Sequence, residues 1–202
     1  MKITATGCLH GHFPELEGGD LLIITGDLTA RHTISEYKKF LDWFGEQKYT
    51  KKILVCGNHD PFHPITYDFE YLLDSGTEFE GLKIWGSPWT PIFDGINPKA
   101  TYFTGSEEHI KKKFDLIPND IDILITHGPP FGILDQTIYG YSVGSKSLFK
   151  NIQRLGPKLK IHVFSHIHEA YGEDIDHFTH YINCSHVNRY YKPENKPINI
   201  EL

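Results

Sequence analysis

The chain is 202 residues long, 39% hydrophobic and 23% charged, with a formal net charge of −6 at neutral pH. This length supports one substantial core, so a single domain over 1–202 is the expectation, and the composition excludes a disordered chain. The acidic balance argues against general binding to nucleic-acid backbones, which demands a basic face.

No stretch approaches the roughly 18 consecutive apolar residues of a membrane span, so no membrane partner is expected. MKITATGCLHGH opens the chain without the apolar region and cleavage site of a secretory signal. Three scattered cysteines suit a reducing compartment, and a cytoplasmic location is the resulting expectation. In chain order, Lys2 to Ala5, Leu21 to Thr25 and Lys52 to Cys56 read as strands. Between the last two, Ile34, Tyr37, Phe40, Leu41 and Phe44 recur at helical spacing opposite Glu36, Lys38, Lys39 and Asp42, which predicts an amphipathic helix covering a sheet. A second helix is predicted from Pro64 to Leu73. TEFEGLKIWGSPW reads as a hairpin containing the strand Leu82 to Trp85. A helix from Ser106 to Phe114 comes next, in which Lys111, Lys112 and Lys113 form a solvated face. Then come a strand from Ile121 to Thr126, a helix from Val143 to Leu155, and strands at Lys160 to Phe164, His180 to Asn183 and Ile198 to Glu201. Runs such as LLIIT and IDILIT suit strands buried on both faces, so the alternation predicts a layered α/β protein with a mixed sheet.

The residues just after each strand carry the chemistry. Cys8-Leu9-His10 succeeds the first, Gly26-Asp27 the second and Gly57-Asn58-His59-Asp60 the third; later strands lead into His127-Gly128 and into Ser165-His166-Ile167-His168. In open α/β sheets the carboxyl ends of strands form the crevice where ligands bind. Asp and Asn after Gly also suit tight turns, yet five strand ends in series each deliver a polar ligand type. Asp can bridge two cations with its two oxygens, Asn offers a neutral carbonyl, and the imidazoles of His166 and His168 can face one cavity. These types point to a two-metal centre. Ions about 3.5–4 Å apart hold a bridging hydroxide and orient a phosphoryl group, and they supply the positive field that an acidic chain lacks for an anionic substrate.

In these blocks the sequence resembles the calcineurin-like metallophosphoesterase superfamily, whose blocks are D-x-H, GD, GNH[D/E], a lone H and GHxH. TGD, KKFLDW, GNHD, WGSPWTP, IDILITHGPP and HVFSHIHEAYG are similar to its small single-domain metallophosphoesterase-domain-containing (fetal brain type) subgroup. The resemblance implies an α/β fold, a four-layer α-β-β-α sandwich of two mixed β-sheets flanked by helices. It implies a binuclear phosphohydrolase using two divalent metal ions (manganese, iron, zinc or nickel), with a metal-bridging hydroxide as nucleophile. Residue by residue, it implies one ion on Cys8, His10, Asp27 and His168, and a second on Asp27, Asn58, His127 and His166. His59 is then a catalytic acid or transition-state donor beside the bridging Asp27, with Asp60 either orienting it or capping a helix after Pro61. Asn58, His59 and Arg31 are the candidate substrate contacts. Gly26-Asp27-Leu28-Thr29-Ala30-Arg31 lacks the GDxVDRG block of serine/threonine protein phosphatases, so small phosphoesters and phosphodiesters, nucleotides among them, rank above phosphoproteins.

Two departures stand out: Ser165 replaces the Gly of GHxH, and Cys8 stands where the family has Asp. A thiolate is a softer ligand that suits zinc or iron; a protonated thiol would leave that site weak. The alternative reading is therefore a degenerate module that binds a nucleotide or phosphate with one weakened metal site. Trp89, Phe93, Phe131, Tyr139 and Tyr141 could form a platform for a flat group, or only pack. His12, His32, His63, His109, His162, His177, His180 and His186 fall outside the blocks and are expected in surface or core roles. The oligomeric state, the pathway and the physiological substrate are not legible at this level.

Overall fold

The computed structural model describes residues 1–61, 69–92 and 100–202. Its strands in chain order are β1 (Lys2–Thr6), β2 (Gly19–Ile24), β3 (Tyr49–Leu54), β4 (Glu70–Tyr71), β5 (Ser75–Phe79), β6 (Leu82–Ser87), β7 (Thr90–Pro91), β8 (Thr104–Gly105), β9 (Ile123–Thr126), β10 (Ile161–Phe164), β11 (Gly172–Ile175), β12 (His180–Asn183) and β13 (Ile198–Glu201). The helices are α1 (Ile34–Glu46), α2 (Glu107–Phe114) and α3 (Lys146–Leu155). A five-stranded sheet has the order β13-β1-β2-β3-β4, and a six-stranded sheet the order β11-β12-β10-β9-β6-β5. In the first sheet β1 to β4 run parallel and β13 antiparallel. In the second, β12, β10, β9 and β6 run parallel while β11 and β5 close the edges antiparallel. Both sheets are mixed, as expected.

Side chains of a strand alternate between its faces, and Leu21-Leu22-Ile23-Ile24 shows how this builds layers. Leu21 and Ile23 join Ile3, Ile53, Ile84, Ile123, Val163 and Ile182 in a core between the sheets. Leu22 and Ile24 face outward onto Phe40 and Phe44 of α1. On the far side, Leu124, Phe164 and Tyr181 meet Ile110 and Phe114 of α2 and Leu148 and Ile152 of α3. The result is four layers: α1, first sheet, second sheet, α2 with α3. Ile34, assigned to the buried stripe from its spacing, is instead 71% exposed at the first position of α1.

The helix ends obey local chemistry. Thr33 and Glu36 form a reciprocal capping box at α1, and Ser106 caps α2. Ser145 caps α3, whose first N–H groups also donate to the Glu107 carboxylate, which ties α2 to α3. Of the helix expected over Pro64 to Leu73, residues 64–68 lie outside the described residues. Its described end is the strand β4, because Tyr71 packs toward α1 and Leu72 toward the inter-sheet core, a period of two and not 3.6. The short strands β7, β8 and β11 lack strong apolar runs and carry no clear sequence signal.

The sheets converge at the carboxyl ends of their parallel strands. Gly7 N–H donates to Cys184 carbonyl at 3.0 Å and His186 N–H to Gly7 carbonyl at 2.7 Å, while Thr25 Oγ1 donates to Ser165 Oγ at 2.8 Å. A Cβ at Gly7 would lie 1.8 Å from Thr25 Oγ1, so only glycine allows this approach.

Candidate metal centre

The loops after β1, β2, β3, β9 and β10 meet where the sheets close. His10 Nε2 lies 3.3 Å from His168 Nε2 and 3.6 Å from Asp27 Oδ2. His127 Nε2 lies 3.5 Å from the same Asp27 oxygen and donates to Asn58 Oδ1 at 2.9 Å. The His166 ring centroid is 4.8 Å from that of His127, and the His166 backbone N–H donates to Cys8 Sγ at 3.0 Å. Cys8, His10 and His168 present ligand atoms within 4.8 Å of one another, as do Cys8, Asp27 and His127 and, third, His10, Asp27 and His59. The seven ligand candidates thus gather around one point, and Asp27 Oδ2 sits between the two groups. The sequence reading has Asp27 bridge through both oxygens. In the structure Oδ1 accepts the His59 backbone N–H at 2.9 Å, which leaves Oδ2 facing His10 and His127 alike.

Backbone conformation aims these side chains. Among the described residues ten non-glycine positions have positive φ, and six surround this point: Cys8 (45°), His10 (44°), Asp27 (54°), His32 (59°), His166 (72°) and Tyr191 (60°). Such conformations carry a free-energy cost and cluster at functional sites. Glycine again permits a close approach: a Cβ at Gly57 would meet Asp27 Oδ1 at 2.3 Å and His127 Cε1 at 2.5 Å. Asp60 caps no helix among the described residues. Its buried carboxylate accepts the N–H groups of Asp27 (2.7 Å), Leu28 (2.9 Å) and Gly57 (2.8 Å), so it ties the loop after β2 to the loop after β3. Burial and the charge of Asp27 push its carboxyl up to about 7, against the pull of those N–H groups.

The electrostatics suit a cation. Burial opposes charge on Asp27, but His127 and the neighbouring histidines hold its carboxyl well below the usual range. Burial pushes the His10 imidazole down to about 3 and lowers His166 and His168 as well, which keeps these rings neutral with lone pairs available to a metal. His127 is different. Burial lowers it, but Asp27 and the Thr25 carbonyl raise it further, and its two nitrogens both face oxygen acceptors. A proton on its Nε2 sits where Asn58 Oδ1 and Asp27 Oδ2 converge, the place a cation would take. Buried neutral imidazoles beside a carboxylate and a carbonyl are the donor set of a transition-metal site, so the residues present fit such ions. Cys8 is fully buried, and burial together with Asp27 raises its thiol well above the ordinary value.

A cavity of about 720 Å³ opens over the cluster. Asp27, Asn58, His59, His166 and His168 form its floor; Ile92, Ile138, Tyr139, Arg189, Tyr190 and Tyr191 are among its walls. Arg31 is exposed, its N–H bound to the Glu36 carboxylate, and does not line the cavity. Of the aromatic candidates, Tyr139 lines it; Trp89 donates to Asp74 and packs in the core behind α2, while Phe131 and Tyr141 are exposed elsewhere and Phe93 lies outside the described residues. Tyr191, missed in the sequence, packs edge-on against His10 (4.8 Å) and His168 (5.1 Å). The tyrosine pair in NRYYK was the available signal. Among the described residues, no helix is long and apolar enough to cross a membrane.

Comparison with known proteins agrees with this geometry. Metallophosphoesterase domain-containing protein 1 of Homo sapiens is 36% identical over 221 residues, covering 91% of this chain, and the Mus musculus protein matches equally. The chain spans 65% of the length of these relatives. A solved structure of TT1561 of Thermus thermophilus superposes with a TM-score of 0.61 at 13% identity, covering 90% of this chain and 88% of that one, a likeness of fold. The family model described as calcineurin-like phosphoesterase matches residues 1–170, a span that includes every residue of the cluster just described. With that match and a layered fold that brings the signature blocks together, the chain belongs to the calcineurin-like phosphoesterase family.

Proposed function

We propose that the protein is a metal-dependent phosphoesterase, and within that class a phosphodiesterase acting on small phosphoesters, nucleotides among them, through one domain spanning 1–202. The observation that carries this reading is the placement of Asp27 Oδ2 between two groups of imidazoles, 3.6 Å from His10 and 3.5 Å from His127. Cys8, His10, Asp27 and His168 would hold one ion, and Asp27, Asn58, His127 and His166 the other. Bound there, divalent ions polarise a phosphoryl oxygen and lower the pKa of water.

The chain's own residues supply the rest. Asp27, fixed through its Oδ1 by the His59 N–H and through its own N–H by Asp60, keeps negative charge at the centre of the floor. His59 lines the cavity beside Asn58 and donates to the leaving oxygen, where a positioned donor is worth roughly 10²–10³ in rate. The cavity is far larger than a phosphate group, and its walls hold Tyr139, Tyr190 and Tyr191, which are 78%, 63% and 48% exposed. Exposed rings gathered around one opening suit an ester bearing a large, flat group. Arg189, stacked 4.4 Å from the Tyr190 ring, adds a cation to that wall.

One observation favours a second reading, a degenerate module that retains a phosphate or nucleotide without efficient turnover. Burial and Asp27 hold the Cys8 thiol toward its protonated form, which weakens the first ligand set. Hydrolysis of an aryl phosphodiester decides between them. The enzyme reading expects turnover with at least one of manganese, zinc, iron or nickel, abolished in Asp27→Asn and His59→Asn. Inactivity across all four overturns it. Cys8→Asp then grades the thiol: a large gain marks attenuation, a loss marks a working thiolate.

A further inference from the structure

The loop after β2 delivers a histidine that no signature block contains. His32 Nε2 lies 3.1 Å from His59 Nδ1, and the two rings meet edge-on at 5.2 Å and 82°. Tyr102 packs on His32 at 6.0 Å and 71°, and its backbone N–H donates to the Asn58 carbonyl at 3.2 Å. His32 is half-buried and holds φ at 59°, a left-handed conformation that costs a non-glycine residue about 1–3 kcal/mol. The capping box of Thr33 and Glu36 begins at the next residue, and Glu36 also accepts the Arg31 N–H at 3.1 Å. The segment on both sides of His32 is therefore pinned, and the strain is spent on directing one imidazole at another.

We propose that His32 is a positioning residue for phosphoester cleavage: its Nε2–H donates to His59 Nδ1, fixing the His59 proton on Nε2 and aiming that N–H into the cavity. The inference rests on the phosphoesterase reading above. Two imidazoles joined through one nitrogen of each must divide the roles of donor and acceptor. His59 lies on the cavity floor and His32 does not, so the ring that must donate into the cavity accepts from the ring behind it. In cleavage a water oxygen forms the new P–O bond and its proton goes to solvent. The ester P–O bond breaks with its electron pair on the leaving oxygen, which takes a proton from solvent. His59 keeps its own proton throughout and stabilises the developing negative charge by hydrogen bonding. That charge is greater on a poor leaving group, so alkyl esters depend on the pair more than nitrophenyl esters do.

The test compares metal-loaded wild type, His32→Phe, His32→Gln and His32→Gly on a nitrophenyl and an alkyl phosphodiester. A displaced donor costs up to roughly a hundredfold. His32→Phe is expected to lose about tenfold on the nitrophenyl ester and about a hundredfold on the alkyl ester. His32→Gln, whose amide N–H reaches the same point, should recover most of that loss. His32→Gly relieves the backbone strain, so it should unfold at the same or higher urea than wild type while showing the selectivity of His32→Phe. Histidine ¹⁵N NMR of the metal-free protein, assigned by His59→Asn, supplies a readout independent of turnover. It should place the His59 proton on Nε2 in wild type and His32→Gln, and on both nitrogens in exchange in His32→Phe. A wild-type His59 protonated on Nδ1, equal losses on the two esters, or no recovery in His32→Gln would overturn the proposal while leaving the phosphoesterase reading intact. Wild type that hydrolyses neither ester with any of the four metals defeats both.

Discussion

Replacing Gly7 by Ala tests whether the close approach of the two sheets holds the centre together. The added methyl carbon would lie 1.8 Å from Thr25 Oγ1, 2.9 Å from Ser165 Oγ and 3.1 Å from Thr25 Cβ. The first distance is about half a normal contact, so Thr25 must move by more than an ångström. Its hydroxyl joins the sheets through Ser165 Oγ at 2.8 Å and contacts Cys184 Sγ at 3.3 Å. Overpacking costs about 1–3 kcal/mol, and losing the partner of a buried hydroxyl about 1–3 kcal/mol more. A total of roughly 2–6 kcal/mol is a large share of a domain stability of about 5–15 kcal/mol. Urea unfolding of the metal-free protein measures it as a shift in midpoint at constant slope. The cause is separable, because Thr25→Ala removes the oxygen that the new methyl meets. The double variant Gly7→Ala/Thr25→Ala should therefore be more stable than Gly7→Ala alone, a strongly non-additive cycle. Equal midpoints for wild type and Gly7→Ala, or a double variant that merely adds the two losses, would refute the argument.

Other expectations come from individual residues. His162 is fully buried, its Nε2 bound to Thr126 Oγ1 at 2.9 Å, and burial pushes its imidazole down to about 3. The unfolded chain binds a proton there near pH 6.5 and the folded chain does not, so stability is intact above 6.5 and falls by about 1.4 kcal/mol per pH unit from 6.5 towards 3. His162→Phe should flatten the acid limb of a stability–pH curve by that slope; an unchanged limb counts against it. Thr33→Ala removes the cap of α1 and should cost about 1 kcal/mol in urea unfolding, with Glu36→Ala costing a similar amount because the two residues cap reciprocally. Cys8→Asp exchanges a soft ligand for a hard one, so the ratio of zinc-supported to manganese-supported turnover should fall; an unchanged ratio would show that the thiol does not reach the metal.

The sequence exposed what repeats or obeys a simple period. Eight strands were legible because LLII and its counterparts alternate between two apolar layers, and α1 and α2 because their caps and apolar stripes coincide. The polar residues after each strand marked the centre because a parallel strand end fixes where the next side chain goes. Tyr71 and Leu72 were misread because two alternating residues carry too little pattern to oppose a helical reading. His32 and Tyr191 were not placed at the centre for another reason. Each reaches the centre through a left-handed turn, and nothing in residue type announces that a non-glycine residue will adopt one.

Turns of that kind also decide how the centre is built. A strand end can deliver a side chain along its own direction, yet ligands from two sheets must point at one another across the gap between them. Cys8, His10, Asp27 and His166 turn through positive φ in the loops that follow their strands, and hydrogen bonds between loops hold these turns. Cys8 N–H donates to Gly26 carbonyl at 2.8 Å, His10 N–H to Asp27 carbonyl at 2.8 Å, and His166 N–H to Cys8 Sγ. The loops therefore hold one another in conformations that none would keep alone, and the inter-sheet core beneath them offsets the cost. A centre organised this way is set before any ligand arrives, which is the condition for fixed dipoles to act on a developing charge without reorganising. It also couples the parts. Loosening the Asp60 carboxylate, which grips Asp27, Leu28 and Gly57 at once, should disturb both ligand groups together, whereas shortening a wall residue such as Tyr190 should leave them in place.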